Sequence, residues 1–395
     1  MVDATAGLPN DVAARTEPAQ AASPRRAPTT LAADVARYAA FSEGRIFSSA
    51  QSPAWVEAWV ANSGSDNAIV MVRDGEAELA LPLEIMPLGP LKIARFMGGS
   101  HANGNLPPFS GATRIGRAAI AEAVRAARPD VDLVRLERLM DSLAGTANPL
   151  IHLASGESPN VSLAVDLAGG FDALLDRTSG KRKRKKHRSQ TRKFEAVGSF
   201  RRIEASTPEE VDRLLGDFFV LKGRRFREFG LTDVFADEGV RRFFRKLFTD
   251  ALGQTPRPFV LHALEVAGTL RAITGSSRSH DRLICEFGAI ADDDLGHASP
   301  GEFLFFDNIQ EACRDGYAIY DFSVGDEFYK RLWCNIEDRH FDVLLPVSAK
   351  GRMLAGALGA ASRTKRAIKS NKVLWPLIKR LRRSRAAATT TADED

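Results

Sequence analysis

The stretch "PFVLHALEVAGTLRAITGSSRSHDRLICEFGAI", residues 258–290, constrains the fold more than any other part of this chain. It holds three runs of strand-forming residues, broken once at Gly268 and once at Ser279-His280-Asp281. Breaks this short carry turn chemistry and join antiparallel neighbours, so the stretch reads as a three-stranded meander. A helix with its own start signal follows in "SPGEFLFFDNIQEACRDG", then a strand in "AIYDFSV" and a last strand in "HFDVLLPV". Ahead of the meander, "FRRIEAS" is a strand, "TPEEVDRLLGDFFVLKGRRFREFG" a long capped helix and "EGVRRFFRKLFTDAL" a second helix.

The first half repeats that grammar. Ser52-Pro53 starts a helix carrying Trp55, Trp59 and Val60 on one face, and Asp74-Gly75 turns a hairpin between two alternating runs. "LKIARFMG" is a further strand, "RIGRAAIAEAVRAARP" an amphipathic helix, and "DVDLVRLERL" and "VSLAVDL" are strands. Strands, helices and strands again, twice over, predict a mixed α/β (α+β) fold with largely antiparallel sheets, not a doubly wound parallel one. The expected organisation is a flexible leader over 1–40, one module over 41–167, a second over 168–348, and a basic tail over 349–395.

Charge divides the chain in the same places. Nine of the thirteen residues from Lys181 to Lys193 are Lys or Arg. Residues 350–385 carry twelve more with no acidic residue. The remaining 34 basic residues face 50 acidic ones, so an acidic body carries two basic appendages. A nucleic-acid clamp would interleave aromatics with the cations, and only Phe194 is near, so no nucleic-acid partner is expected. The run reads as a positive rim for an anionic donor or acceptor, or as a solvated helix face. Cys285, Cys313 and Cys334 have no paired spacing and the seven His do not join them at ligand spacings, so reduced thiols and no metal are expected. The N-terminus lacks the apolar core of a secretory signal, which points to a cytoplasmic protein.

In the tail, Leu374, Leu377, Ile378 and Leu381 recur at helical spacing among Lys379, Arg380, Arg382 and Arg383. Such a segment suits the inner surface of an anionic membrane or docks on the acidic body. Arg382 and Arg385, at R-x-x-R spacing, also suit the phosphates of cyclic di-GMP.

Two short motifs carry the chemistry. Ser299-Pro300-Gly301 opens a helix directly after a strand and loop, where free N–H groups and the helix dipole receive phosphate; it also reads as an ordinary helix cap. Asp326, Glu327, Tyr329 and Lys330 lie just beyond a strand end, where side chains converge on a cleft. Glu286 alternates with Cys285 and Phe287, which places its side chain opposite an apolar face.

Together "PFVLHALEVAGTLRA", "SPGEFLFFDNIQEACRDG" and "YDFSVGDEFYKRLW" resemble the CelD/BcsL-like GNAT acetyltransferases, relatives of the Fem peptidyltransferases that act in bacterial exopolysaccharide and holdfast formation. The resemblance spans roughly residues 45–345 and implies two tandem GNAT-like modules, the second holding acetyl-CoA. It implies the CoA pyrophosphate near the N–H groups at Ser299, Gly301 and Glu302, although the usual Q/R-x-x-G-x-G/A loop is missing. It further implies that an amine, on an amino-sugar polysaccharide or its lipid-linked precursor, attacks the thioester. Asp326 and Glu327 would act as base or orient the acceptor, with Asp321 and Glu286 behind them. Tyr329 would serve as acid toward sulfur and Lys330 would hold charge on substrate or CoA, while Arg224 and Arg225 would face the acceptor or, more simply, form surface ion pairs. Two other functions fit the residues: a Fem-like aminoacyltransferase using aminoacyl-tRNA, and a cyclic di-GMP-responsive membrane effector whose acyltransferase pocket has decayed.

Overall fold

The computed structural model describes residues 28–111 and 114–370. Leu374 to Leu381, Arg382 and Arg385 lie outside these residues, as does most of the expected leader. The chain forms two compact units, one of residues 161–338 and one that joins 28–160 to 339–370. Among the described residues no helix is long and apolar enough to cross a membrane.

In the N-terminal unit, strands Asp66–Asp74, Ala77–Leu88 and Leu91–Phe96 form the expected antiparallel meander. Gly75, at φ 61°, makes the first turn. Helix Arg117–Ala127 then crosses to strand Leu133–Leu139, which pairs parallel with Leu91–Phe96. The core gathers Val70, Leu81, Ile120, Val124, Leu136 and Val343. Two expectations change here. Residues 28–40, assigned to a leader from sequence, belong to helix Pro28–Ser42, where Tyr38 is fully buried and donates its hydroxyl to the Gln51 carbonyl at 2.6 Å. Residues 339–346, counted with the second module, pair instead with Leu133–Leu139.

The C-terminal unit is organised by one sheet, in the order Phe200–Glu204, Phe259–Val266, Thr269–Ser279, Arg282–Ile290, Ile319–Val324 and then the Val161–Asp166 part of strand Gly156–Asp166. All pairings are antiparallel except the fourth with the fifth. Helices Pro208–Glu228 and Glu238–Ala251 pack against the meander. Thr207 and Asp237 cap them by accepting the amides of Glu210 and Val240. Their apolar stripes converge on the ring of Phe287, which lies 4.4 Å from Phe218 and 5.2 Å from Phe244 between centroids. Helix Pro300–Arg314 forms another core with Cys285, Tyr320, Phe322 and Trp333 through Phe305 and Phe306. Each fully buried aromatic ring contributes about 2–3 kcal/mol by removal from water.

The basic run is no appendage. It forms helix Gly180–Val197, held along one face by Lys183, His187, Gln190 and Phe194 at i, i+4, i+7 and i+11. His187 stacks against Phe303 and Phe306 at 4.2 and 4.1 Å and lies 2.9 Å from Asp307. Lys186 pairs with Glu302, so the helix is fixed beside the start of Pro300–Arg314. Lys181, Arg182, Lys185, Arg188, Arg192 and Lys193 remain exposed on the other faces.

Candidate active site

The site begins where two strands part. Arg282–Ile290 and Ile319–Val324 pair parallel only from Arg282 to Ile284 and from Ile319 to Asp321, and beyond that point the ladder ends. Two local irregularities shape the gap. Gly275 pairs with Phe287 and Ser276 with Cys285, so Glu286 is the extra residue of a β-bulge. On the facing strand Ser323 takes a left-handed conformation at φ 63° and the register with the neighbouring strand shifts between Asp321 and Val324.

The bulge corrects the alternation expected at Glu286. Residues two apart on a regular strand share a face, yet Cys285 packs with the helix Pro300–Arg314 cluster and Phe287 with the two long helices. The extra residue between them turns the strand over. Gly275 lies directly beneath the Phe287 ring, where a Cβ would collide with it. Glu286 accepts the Ser277 hydroxyl at 2.6 Å.

Beyond the strand end, residues 325–331 fold back as a turn and the short helix Phe328–Arg331. Lys330 is buried and its ammonium donates to the carbonyls of Ser323 (3.3 Å) and Val324 (3.1 Å) while pairing with Glu327 at 3.0 Å. It therefore clamps the turn. Asp321, also buried, accepts the Ser323 amide at 2.6 Å and lies 3.4 Å from Arg282. Burial pushes its carboxyl pKa up, against the pull of Arg282. Tyr329 stacks on Phe305 at 5.4 Å, and burial holds its phenol well above the ordinary range. Asp326 points elsewhere: it is exposed and paired with Arg331, which also holds Glu337. Phe328 stands out into solvent, 80% exposed.

One residue of this cluster is absent from the sequence expectation. On helix Pro208–Glu228 the face toward the site carries Lys222, 6% exposed, whereas Arg224 is exposed and Arg225 pairs with Glu228 and lies over Phe229. Burial pulls the Lys222 ammonium down to about 8, with Glu327, Cys285 and Lys330 the next influences. Its signal was in the pattern: Leu215, Phe218, Phe219, Lys222 and Phe226 form one helical stripe, and a lysine at a core position is costly without a purpose. Cys285 in turn is pushed up to about 12 by burial, which keeps it a neutral thiol and removes it as a nucleophile.

The start of helix Pro300–Arg314 differs from expectation at the atomic level. The Ser299 amide donates to Gly296 and the Glu302 amide to Ser299, so neither is free for a pyrophosphate. The short 3₁₀ helix Asp294–Ala298 runs directly into the cap and takes the Ser299 amide, while the Glu302 amide closes the first turn of Pro300–Arg314 on the Ser299 carbonyl. Gly301 sits under Ile290, close enough that a Cβ would meet it at 2.6 Å. Positive charge at this corner comes from side chains, chiefly Lys186 beside Glu302.

A second buried cluster has another character. Among the described residues, Glu204, His262 and Glu311 bring their ligand atoms within 4.8 Å of one another. Arg202 occupies Glu311, and Arg257 lies 3.4 Å from Glu204. His262 beside it holds the Glu204 carboxyl down at about 2, while burial keeps the imidazole below its usual value. Guanidinium groups already fill the carboxylates, so the cluster is an ion-pair network.

The N-terminal unit has the same fork in a closed form. Leu91–Phe96 and Leu133–Leu139 pair parallel only at Ile93–Leu133 and Ala94–Val134, and Arg138 has φ 53° where the other unit has Ser323. Here, however, Asn105 enters the gap, donating its amide to Arg138 and accepting that of Met140. Its side chain accepts from Gln51 and donates to Glu137, both at 2.8 Å. Asn105 thus bonds the backbone of the Leu133–Leu139 side of that fork.

Comparison with known proteins agrees with this geometry. Residues 181–331 match the family model of the acetyltransferase (GNAT) domain. No curated protein matches the chain in sequence. Among solved structures, FemX is similar with a TM-score of 0.54 at 11% identity, covering 82% of this chain and 98% of its own. The DUF2156 C-terminal domain assigned to a lysylphosphatidylglycerol synthetase of Agrobacterium fabrum has a TM-score of 0.51 at 14% identity, covering 84% and 96%. A tandem GNAT protein from the clavulanic acid pathway covers 80% and 96% at 15% identity, with a TM-score of 0.42. The fold is GNAT-like, and the acetyltransferase domain matched over residues 181–331 supports an acyltransferase.

Proposed function

We propose that this GNAT domain moves an acyl group, acetyl in the simplest case, from a CoA thioester to an amine at the strand fork of the C-terminal unit. The observation that carries the reading is the fork itself: an interrupted parallel ladder, a bulge on one strand and a left-handed residue on the other. Strand edges left unpaired in this way suit an extended donor chain with amide groups of its own, such as pantetheine. Backbone N–H groups at the bulge suit the oxyanion that develops on the thioester carbonyl. For the diphosphate, the fit lies with cations of helix Gly180–Val197 near Glu302 more than with helix amides, since those of Ser299 and Glu302 are used.

Glu327 and Lys330 then define the acceptor end. Their buried pairing fixes the turn, and Phe328 at its surface offers an apolar contact beside the entrance. The acceptor we favour is an amino sugar of an exopolysaccharide or of its lipid-linked precursor, on the CelD/BcsL-like wording of residues 259–333. A second reading, an aminoacyltransferase fed by aminoacyl-tRNA, is favoured by the exposed cations of helix Gly180–Val197, which suit a phosphate backbone.

The test is release of free CoA thiol from acetyl-CoA by the full chain with chitosan oligomers. Activity is expected, falling at least 100-fold in Glu327→Gln/Lys330→Met. Full activity in that variant would remove the site assignment. Transfer from charged tRNA with none from acetyl-CoA would establish the second reading.

A further inference from the structure

Amine acylation needs a proton acceptor, because the attacking nitrogen carries at least one proton too many in the product-forming step. The carboxylates and the other acids at the fork are poorly placed for it. Asp326 is exposed and held by Arg331, Asp321 is tied to the Ser323 amide and Arg282, and Glu286 accepts from Ser277. Glu327 is the counter-ion of buried Lys330 at 3.0 Å, its Oε2 otherwise without a hydrogen bond, so a proton taken there would leave that ammonium buried without its charge partner. Cys285 and Tyr329 hold their protons too tightly.

Lys222 differs in every respect. It is buried on the core stripe of helix Pro208–Glu228, its ammonium nitrogen 5.6 Å from the centroid of Phe226. Phe218, one turn before it on the same stripe, places its ring 4.4 Å from Phe287 beside the bulge, which sets this face of the helix over the fork, and the charges acting on Lys222 are Glu327 and Lys330 from the turn and Arg225 from its own helix. The carboxylate of Asp233 borders the next residue, Gly223, and Arg241 and Arg245 of helix Glu238–Ala251 lie over Phe219 one turn back. Glu327 and Lys330 neutralise each other, so a charged Lys222 is an extra buried cation with no counter-ion. Above about pH 8, where the amine is uncharged, that burden is gone. Such an amine offers a lone pair to whatever enters.

We propose that Lys222 is the base of the reaction, taking a proton from the acceptor amine at the fork. This rests on the acyl-transfer reading above. The acceptor ammonium passes one proton to the neutral Lys222 nitrogen, and its freed lone pair forms the C–N bond to the thioester carbonyl. The second N–H proton leaves to water as the C–S bond breaks with its electron pair on sulfur. The Lys222 ammonium then protonates the departing thiolate, which restores the neutral amine. Every proton and electron pair is accounted for without a metal or redox partner.

The decisive comparison is between Lys222→Arg and Lys222→Met in the full chain, with acetyl-CoA and chitosan oligomers over pH 6–10. Arginine keeps the charge but cannot take a proton at these pH values. Both variants are expected to lose about 100-fold or more in kcat/KM, with far-UV circular dichroism unchanged. The acidic limb seen in the parent should disappear, and trimethylamine, which takes a proton but not a stable acyl group, should restore rate to Lys222→Ala. Retained activity in Lys222→Arg with raised KM in Lys222→Met would overturn the proposal and make Lys222 an anchor for an anionic group. An inactive parent enzyme would instead count against the acyl-transfer reading. Competitive labelling with acetic anhydride stands apart from any acceptor: a Lys222 midpoint in the ordinary lysine range overturns the proposal by itself.

Discussion

Lys330 and Lys222 are both buried and behave oppositely, because Lys330 has a carboxylate partner and Lys222 has the ring of Phe226. Lys330 answers Glu327 and two carbonyls. Replacing it by Met leaves Glu327 buried without its cation, at a cost of about 3–5 kcal/mol. Glu327→Gln/Lys330→Met should recover part of that loss, as urea unfolding of single and double variants will show. Lys222 gives a signature in pH. Its folded value, about 8, lies below that of an ordinary lysine, so between roughly pH 8 and 10.5 the unfolded chain binds more protons. Stability from this group is therefore gained as pH rises through that window and lost as it falls through about 8. The difference in unfolding free energy between the parent and Lys222→Met should follow that slope. A flat difference would mean the ammonium is solvated. From the sequence, the lysine on an aromatic stripe was readable, whereas Arg224 and Arg225 drew attention by charge alone. Burial ranks these three residues, and burial depends on which face the helix turns inward.

At the level of elements, the meander, both capped helices of the C-terminal unit and the helix from Pro300 follow from local pattern and stand where it places them. The bulge at Glu286 does not, since alternation carries no mark of an inserted residue. Its trace is Gly275, a glycine in mid-strand where the Phe287 ring leaves no room for a side chain. The basic helix is a similar case: charge count suggests a solvated segment, and only the i, i+4, i+7, i+11 placement of Lys183, His187, Gln190 and Phe194 shows its packed face. That division is measurable. His187→Ala removes two ring stacks and should cost about 2 kcal/mol in urea unfolding. Neutralising Lys181, Arg182, Lys185 and Arg188 together to Gln should change stability by less than about 1 kcal/mol, since exposed cations contribute little. Equal losses would mean that the exposed face is also packed.

Across the whole molecule, the same fork occurs twice, and the proposed function uses one of the two. In the N-terminal unit Asn105 bonds the backbone of one of the parted strands; in the C-terminal unit the gap is framed by the bulge, Ser323 and the Lys330 clamp. Asn105→Ala removes the side-chain hydrogen bonds to the Gln51 amide and the Glu137 carbonyl and should cost about 2–3 kcal/mol. The KM for acetyl-CoA should stay unchanged, because the donor fork is the other one. The duplication was legible in the repeated strand and helix grammar, and the resemblance pointed to the second copy as the donor site; the part played by Asn105 was not legible, because its partners Gln51, Glu137, Arg138 and Met140 lie far from it in sequence. The central claim, that the C-terminal fork receives an acyl-CoA, is tested most directly by calorimetry of the full chain against acetyl-CoA. The expected result is one site per chain, weakened in Lys186→Gln and unaffected in Asn105→Ala. Absence of binding heat over a range of temperatures, or binding lost only in Asn105→Ala, would contradict it.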